Sequence, residues 1–333
     1  MCFKSAYACL FLVCLSSCVE IETYDNTPRD NFEALWKIMD EHYCFFEYKN
    51  VDWQQVHDDY SLRIQDKMSD EDLFAVLNEM LQEVKDGHVN LVSVFDVGRY
   101  WKWFEDYPAN YKSELIEQYL GFDYRIAGGL YYKVLPDDSI GYIRYSDFSS
   151  SIGNQALNYI FTQFKDCPGI ILDVRNNGGG YLSYSTLLAS RFFEQKTRIG
   201  YIQHKTGTGH NDFSEPVPQY ITPSEGVRPT QKVVVLTNRK CYSACNDFIN
   251  AIRYAPKVIT MGDRSGGGSG LPFSSELPNG WYVRFSACPT YNAEMQHIES
   301  GIEPDVPMQL SDIDVQNGKD TLIEEAILIL KTE

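Results

Sequence analysis

Two short stretches of this sequence carry residue types that can do chemistry. The first is Asp173-Val174-Arg175-Asn176-Asn177-Gly178-Gly179-Gly180, which ends the apolar run from Gly169. Its three glycines lack Cβ atoms, so backbone N–H groups there can face outward and approach a ligand closely. The second runs from Thr237 to Cys245 (TNRKCYSAC) and follows Lys232-Val233-Val234-Val235-Leu236. It sets Ser243 at the mouth of a helix, where unpaired N–H groups and the helix dipole favour an anion. By itself, a serine at this position reads equally well as a plain N-cap. Cys241 and Cys245 flank it at i and i+4 about the helix start, which raises a thiol nucleophile as an alternative to packing or one disulfide.

Both stretches end apolar strands. Ser139 to Tyr145, Gly169 to Val174, Lys232 to Leu236 and Val258 to Met261 read as strands. They alternate with helices at Gln155 to Phe164, from the glycine turn through Arg191, at Ala244 to Tyr254 and at Asp320 to Lys331. Buried β-branched runs alternating with amphipathic helices predict a largely parallel sheet with helical crossovers. In such a sheet ligands meet the carboxyl ends of the strands, where both stretches lie.

Upstream, Phe32, Leu35, Trp36 and Met39 repeat with helical period, as do Leu73, Val76, Leu77, Met80 and Leu81 after the cap candidate Ser69. The expected organisation is therefore a leader at 1–18, a polar tether at 19–29, a helical N-terminal domain at 30–91, an aromatic-rich linking segment at 92–137 and an α/β catalytic domain at 138–333.

The order DGH, GYIR, DVRNNGGG, YSA, GDRSGGGSG and GIEPD resembles the C-terminal-processing and tricorn-type serine peptidases. The likeness runs from about Asp30 to the C terminus and implies a crotonase/ClpP-like catalytic core. It implies Ser243 as nucleophile, with an oxyanion hole built from the N–H of Ala244 and of Gly178 or Gly179. One such donor is typically worth about 10²–10³ in rate.

A serine needs a base. One branch of the family uses a lysine some 25 residues after the serine, but Gly268 stands at that position. Arg264 cannot substitute, because its guanidinium does not deprotonate usefully. The tricorn-like branch uses a histidine from the preceding domain, and His88 matches it. Its imidazole can take the serine proton near neutral pH. The resemblance further implies Glu299 as the group that orients the histidine, with Glu303 and Asp305 as close competitors. The segment Asn90 to Pro136 is too short for the PDZ module of many Ser-Lys members, so C-terminal specificity does not transfer with the family name.

The remaining features bound the reading. A net charge of −17 argues against a nucleic-acid partner, since phosphate binding needs a basic footprint. No Cys/His cluster has zinc spacing and GDRSGGGSG lacks the P-loop lysine, so neither a metal nor another cofactor is expected. Asp312, Asp314 and Gly318 only faintly match a calcium loop, with the glycine one place late. The leader has Lys4, the uncharged run Ala6 to Leu15, and then Leu15-Ser16-Ser17-Cys18, which resembles a bacterial lipobox. This predicts lipidation at Cys18 and a lipid-anchored protein of the bacterial cell envelope, facing the periplasm or the surface. A peptidase acting on unfolded chains or peptides is the leading expectation. A non-catalytic lipoprotein that binds a ligand or peptide in the same cleft is the alternative, and an esterase is a third reading, since the oxyanion machinery is indifferent to peptide or ester.

Overall fold

The computed structural model describes residues 24–136 and 138–332. The apolar leader, Cys18 and the first part of the expected tether lie outside them. The chain enters its first helix, Pro28–His42, earlier than expected, inside the segment read as tether. Thr27 accepts from the Asp30 N–H and Pro28 occupies the first turn, where its missing N–H costs nothing. Asp70–Gln82 forms the expected second long helix, with Ser69 accepting from the Asp72 N–H.

A seven-stranded mixed sheet holds the centre. Its order is Val306–Pro307, Val258–Gly262, Lys232–Thr237, Gly169–Asp173, Gly141–Tyr145, Leu130–Val134 and Arg125–Ala127. The first five run parallel, and the last two close one edge antiparallel. Gly169–Asp173 is buried at every position, as a strand covered on both faces must be. Leu157, Ile160 and Phe161 with Phe248, Ile249 and Ile252 cover one face. Leu322, Ile323, Ala326 and Leu330 of the last helix cover the other, together with Ile116 and Leu120.

Two parts of the sequence organise differently from expectation. The N-terminal helices do not close a core alone: Phe32, Leu35, Leu77 and Met80 cluster with Trp281, Val283 and Phe285 from some two hundred residues downstream. Those partners belong to an antiparallel hairpin, Leu271–Glu276 with Tyr282–Cys288, on whose edge Asn90–Val92 pairs as a third strand. The segment after Val92 is likewise no isolated linker, since Leu130–Val134 and Arg125–Ala127 are the antiparallel edge of the main sheet. A third sheet, three-stranded like the hairpin sheet, is formed by Thr290–Asn292, Thr197–Ile202 and Val217–Ile221 and packs beside the serine helix Ala244–Ile252.

Candidate active site

The strands Gly169–Asp173 and Lys232–Thr237 are parallel neighbours, with Asp173 opposite Leu236, so the two chemistry-bearing turns emerge side by side. They are then tied together. The Asn176 N–H donates to Asn238 Oδ1 at 2.8 Å, and the Asn238 amide donates back to Asn176 Oδ1 at 2.7 Å. The Tyr242 N–H donates to Asn177 O at 3.1 Å. Gly179 has φ +99°, and a Cβ there would sit 2.7 Å from Ser243 Cβ, so only glycine fits this closely.

Ser243 itself has φ +55° and ψ −124°, a conformation that costs a non-glycine residue on the order of 1–3 kcal/mol. Its hydroxyl makes no cap bond to the helix it precedes, so the N-cap reading does not describe it. Instead Ser243 Oγ lies 3.0 Å from His88 Nε2.

His88 is buried between the hairpin unit and Tyr242, whose ring centroid is 4.9 Å away. Burial lowers its pKa from 6.5 to about 4; Asp86 opposes that shift, and Arg284 and Lys49 add to it. The imidazole is therefore neutral at pH 7, and Nε2 can accept the serine hydroxyl. In that tautomer Nδ1 carries the proton, and Nδ1 is buried with no hydrogen-bond partner among the described residues.

The expected orienting acid stands elsewhere. Glu299 Oε2 accepts from the Ser269 N–H at 2.7 Å, and Oε1 pairs with Lys49 Nζ at 2.9 Å. Glu303 pairs with Arg264 at the surface, and Asp305 accepts from the Thr260 N–H and hydroxyl. None of the three carboxylates bonds the imidazole. The carboxylate that does hold His88 is Asp86, which accepts its backbone N–H at 2.8 Å and also accepts from Tyr43 and Ser286 hydroxyls. Burial works against ionising Asp86, but Lys49, His88 and these bonds keep its pKa below the usual carboxylate range. Lys49 links the two acids, 3.8 Å from Asp86, while burial, with Asp86 adding to it, raises the pKa of Glu299. Asp86 was in plain view in Asp86-Gly87-His88, two residues before the histidine; Lys49 carried no sequence signal.

Of the candidate oxyanion donors, the Gly179 N–H is already given to Asn177 Oδ1 at 3.0 Å. The N–H groups of Gly178 and Ala244 have no acceptor among the described residues. At Gly268, φ is +77° and a Cβ would meet the Tyr242 ring at 2.4 Å, so the aromatic ring fills the space a lysine there would need. Tyr242 stacks in turn on Trp103 at 4.1 Å.

Cys241 and Cys245 are free and fully buried, turned toward Val174 O, and burial raises the Cys245 thiol well above its ordinary value. Both are packing residues, neither a nucleophile nor a disulfide. Among the described residues no group of His, Cys, Asp and Glu could hold a metal ion.

His88 and Ser243 open onto a cavity of about 400 Å³. Ile199, Ile202 and Ile221 line one side, with Leu271, Pro272 and Arg284 of the hairpin on another.

With this geometry in hand, the family follows. The model of peptidase family S41 matches residues 139–308, about half of the chain, and that of the tricorn protease C1 domain matches residues 24–82. The chain belongs to peptidase family S41. It is 24% identical over 183 residues to a carboxy-terminal processing protease of Bacillus subtilis, covering 54% of this chain and 37% of that one. The S41 chain thus spans about two-fifths of the length of such curated relatives. A crystal structure of a candidate peptidase from Parabacteroides merdae superimposes with a TM-score of 0.89 at 56% identity, covering 92% of this chain and 98% of that one. Mature CPAF shares the fold with a TM-score of 0.70 at 12% identity, covering 92% and 98% of the two chains.

Proposed function

We propose that this S41 chain is a serine endopeptidase that cleaves unfolded proteins or peptides through an acyl-enzyme. The observation that carries the reading is the 3.0 Å approach of His88 Nε2 to Ser243 Oγ, beside two N–H groups without acceptors. Ser243 Oγ attacks the scissile carbonyl while His88 Nε2 takes its proton. The carbonyl oxygen becomes an oxyanion, to which the N–H groups of Gly178 and Ala244 donate. His88 then gives the proton to the leaving amine, and the same groups run in reverse with water to free the acid. Tyr242 and the hairpin bury the rest of the imidazole, leaving Nε2 to face Ser243 and, once the amine has left, the water that frees the acid. Lys49 and Glu299 fix the Ser269 loop against the histidine segment, so Glu299 serves the base through position.

A crotonase-type core with a helical unit in front of it is the fold reading we attach to this activity. Lipidation at Cys18 and an envelope location belong to the same proposal; loss of membrane partitioning in Cys18→Ala tests them.

The experiment for the activity is labelling with a fluorophosphonate probe beside Ser243→Ala and His88→Ala. Labelling of the wild type alone supports an activated serine with His88 as its base. A folded wild type that stays unlabelled sinks the peptidase reading and returns the ligand-binding alternative to the front.

A further inference from the structure

Besides His88, the acidic and basic side chains lining the cavity at Ser243 among the described residues are Asp247 and Arg284. Asp247 is four residues after the nucleophile, and its N–H donates to Ser243 O at 3.0 Å, so both residues lie on one face of the serine helix. This places a carboxylate one helical turn from Ser243, lining the same cavity.

No hydrogen bond or ion pair is made by the Asp247 carboxyl with any described residue, and Arg284 is not within ion-pair distance of it. One turn further, Asn250 also lines the cavity. Its amide donates to Ile199 O at 2.9 Å, which fixes its orientation, and its Oδ1 is buried without a donor. Asn250 Oδ1 is covered by protein, whereas Asp247 is only half-buried, so of the two it is Asp247 that presents an unpaired acceptor to the cavity. Ile199, Ile202, Ile221 and Ala251 line the same cavity with apolar surface. Burial in this setting raises the Asp247 pKa to about 7, with no charged group contributing.

Resting on the peptidase reading above, we infer that Asp247 is the specificity floor of the pocket and selects a lysine or arginine side chain immediately N-terminal to the cleaved bond. An aliphatic stem matches the isoleucine walls, and a cationic head with several N–H donors matches a carboxylate that no neutral apolar side chain could satisfy.

The test uses the folded mature protein, checked by thermal melting, and two readouts. The first is kcat/KM on matched peptides carrying Arg, Lys, Leu or Glu at that position. The second is fluorescence titration with p-aminobenzamidine, which needs no turnover. The wild type should favour Arg and Lys over Leu by about 10²-fold or more, consistent with a site built around a polar partner. Asp247→Asn should collapse that ratio and abolish p-aminobenzamidine binding, while Asp247→Glu should restore part of both. If p-aminobenzamidine binds through Asp247 but no peptide is cleaved and no probe labels, the basic-side-chain site stands and the peptidase reading falls. If the enzyme labels and cleaves with no preference for Arg or Lys, or if Asp247→Asn leaves the preference intact, the assignment of Asp247 is overturned while the peptidase reading survives.

Discussion

His88 Nε2 and Ser243 Oγ lie 3.0 Å apart although 155 residues separate them, because one stands on the helical-hairpin unit and the other on the main sheet. Any base in this arrangement must be neutral to work. Burial, Arg284 and Lys49 lower the His88 pKa to about 4, against the pull of Asp86. The acid limb of kcat/KM should therefore fall below pH 6, toward 4, rather than at the 6.5 of a free imidazole. Arg284→Met removes a cation, so the limb should move to higher pH. A wild-type limb at 6.5 that Arg284→Met leaves in place would contradict this.

The same depressed pKa is a stability statement. Unfolded, the imidazole binds a proton below 6.5; folded, it does so only below about 4. Stability should thus fall as pH drops from 6.5 to 4, by on the order of 3 kcal/mol from this group. Urea midpoints measured across that window should decline less steeply in His88→Gln.

Strain at Ser243 separates two substitutions that both remove the proposed nucleophile. Ser243→Ala keeps a Cβ at φ +55°, whereas Ser243→Gly removes it. Glycine's greater freedom when unfolded offsets part of the relief. The glycine variant should still melt higher than the alanine variant, by the equivalent of about 1 kcal/mol or a few degrees. Equal melting temperatures would show that the turn carries no strain.

Gly179→Ala tests the convergence of the two turns. The added methyl meets Ser243 Cβ and Tyr242 O at 2.7 Å, and φ +99° is unfavourable to alanine. The turn must move away from the serine, taking the Gly178 N–H with it. Probe labelling should slow by about 10²-fold or more, the scale of one lost oxyanion donor. A labelling rate within threefold of wild type would remove this turn from the site.

The strand ends and the serine turn were legible because buried β-branched runs and a three-glycine turn are local signals. Ser243 and His88 were reached through motif order, and the geometry joins them. Glu299 was not legible in its actual contacts, because Lys49, which it pairs with, stands in an unmarked Glu-Tyr-Lys-Asn stretch. Nor could the sequence show that Leu77 and Phe285 share a core, since hydrophobic period marks a buried face without naming what covers it. Asp247 escaped for a related reason. A carboxylate early in a helix reads as ordinary dipole stabilisation until the cavity around it is seen.

Arg175 is the buried clasp behind the glycine turn, and it makes the last prediction. Its guanidinium is fully buried and bonds both Asp173 oxygens, at 3.0 and 2.7 Å, and Asp320 Oδ2 at 2.9 Å. Asp320 simultaneously caps the final helix by accepting the N–H groups of Leu322 and Ile323. Asp320→Ala therefore removes a cap, worth about 1 kcal/mol, and one arm of a buried ion cluster, whose disruption typically costs about 3–5 kcal/mol. Asp320→Asn keeps a cap acceptor and a neutral partner for the guanidinium, so it should lose distinctly less. Urea unfolding should rank wild type above Asp320→Asn above Asp320→Ala at constant m-value. If the two variants unfold together, the cap contributes nothing. If neither is destabilised, the Asp173–Arg175 pair holds the turn without the last helix.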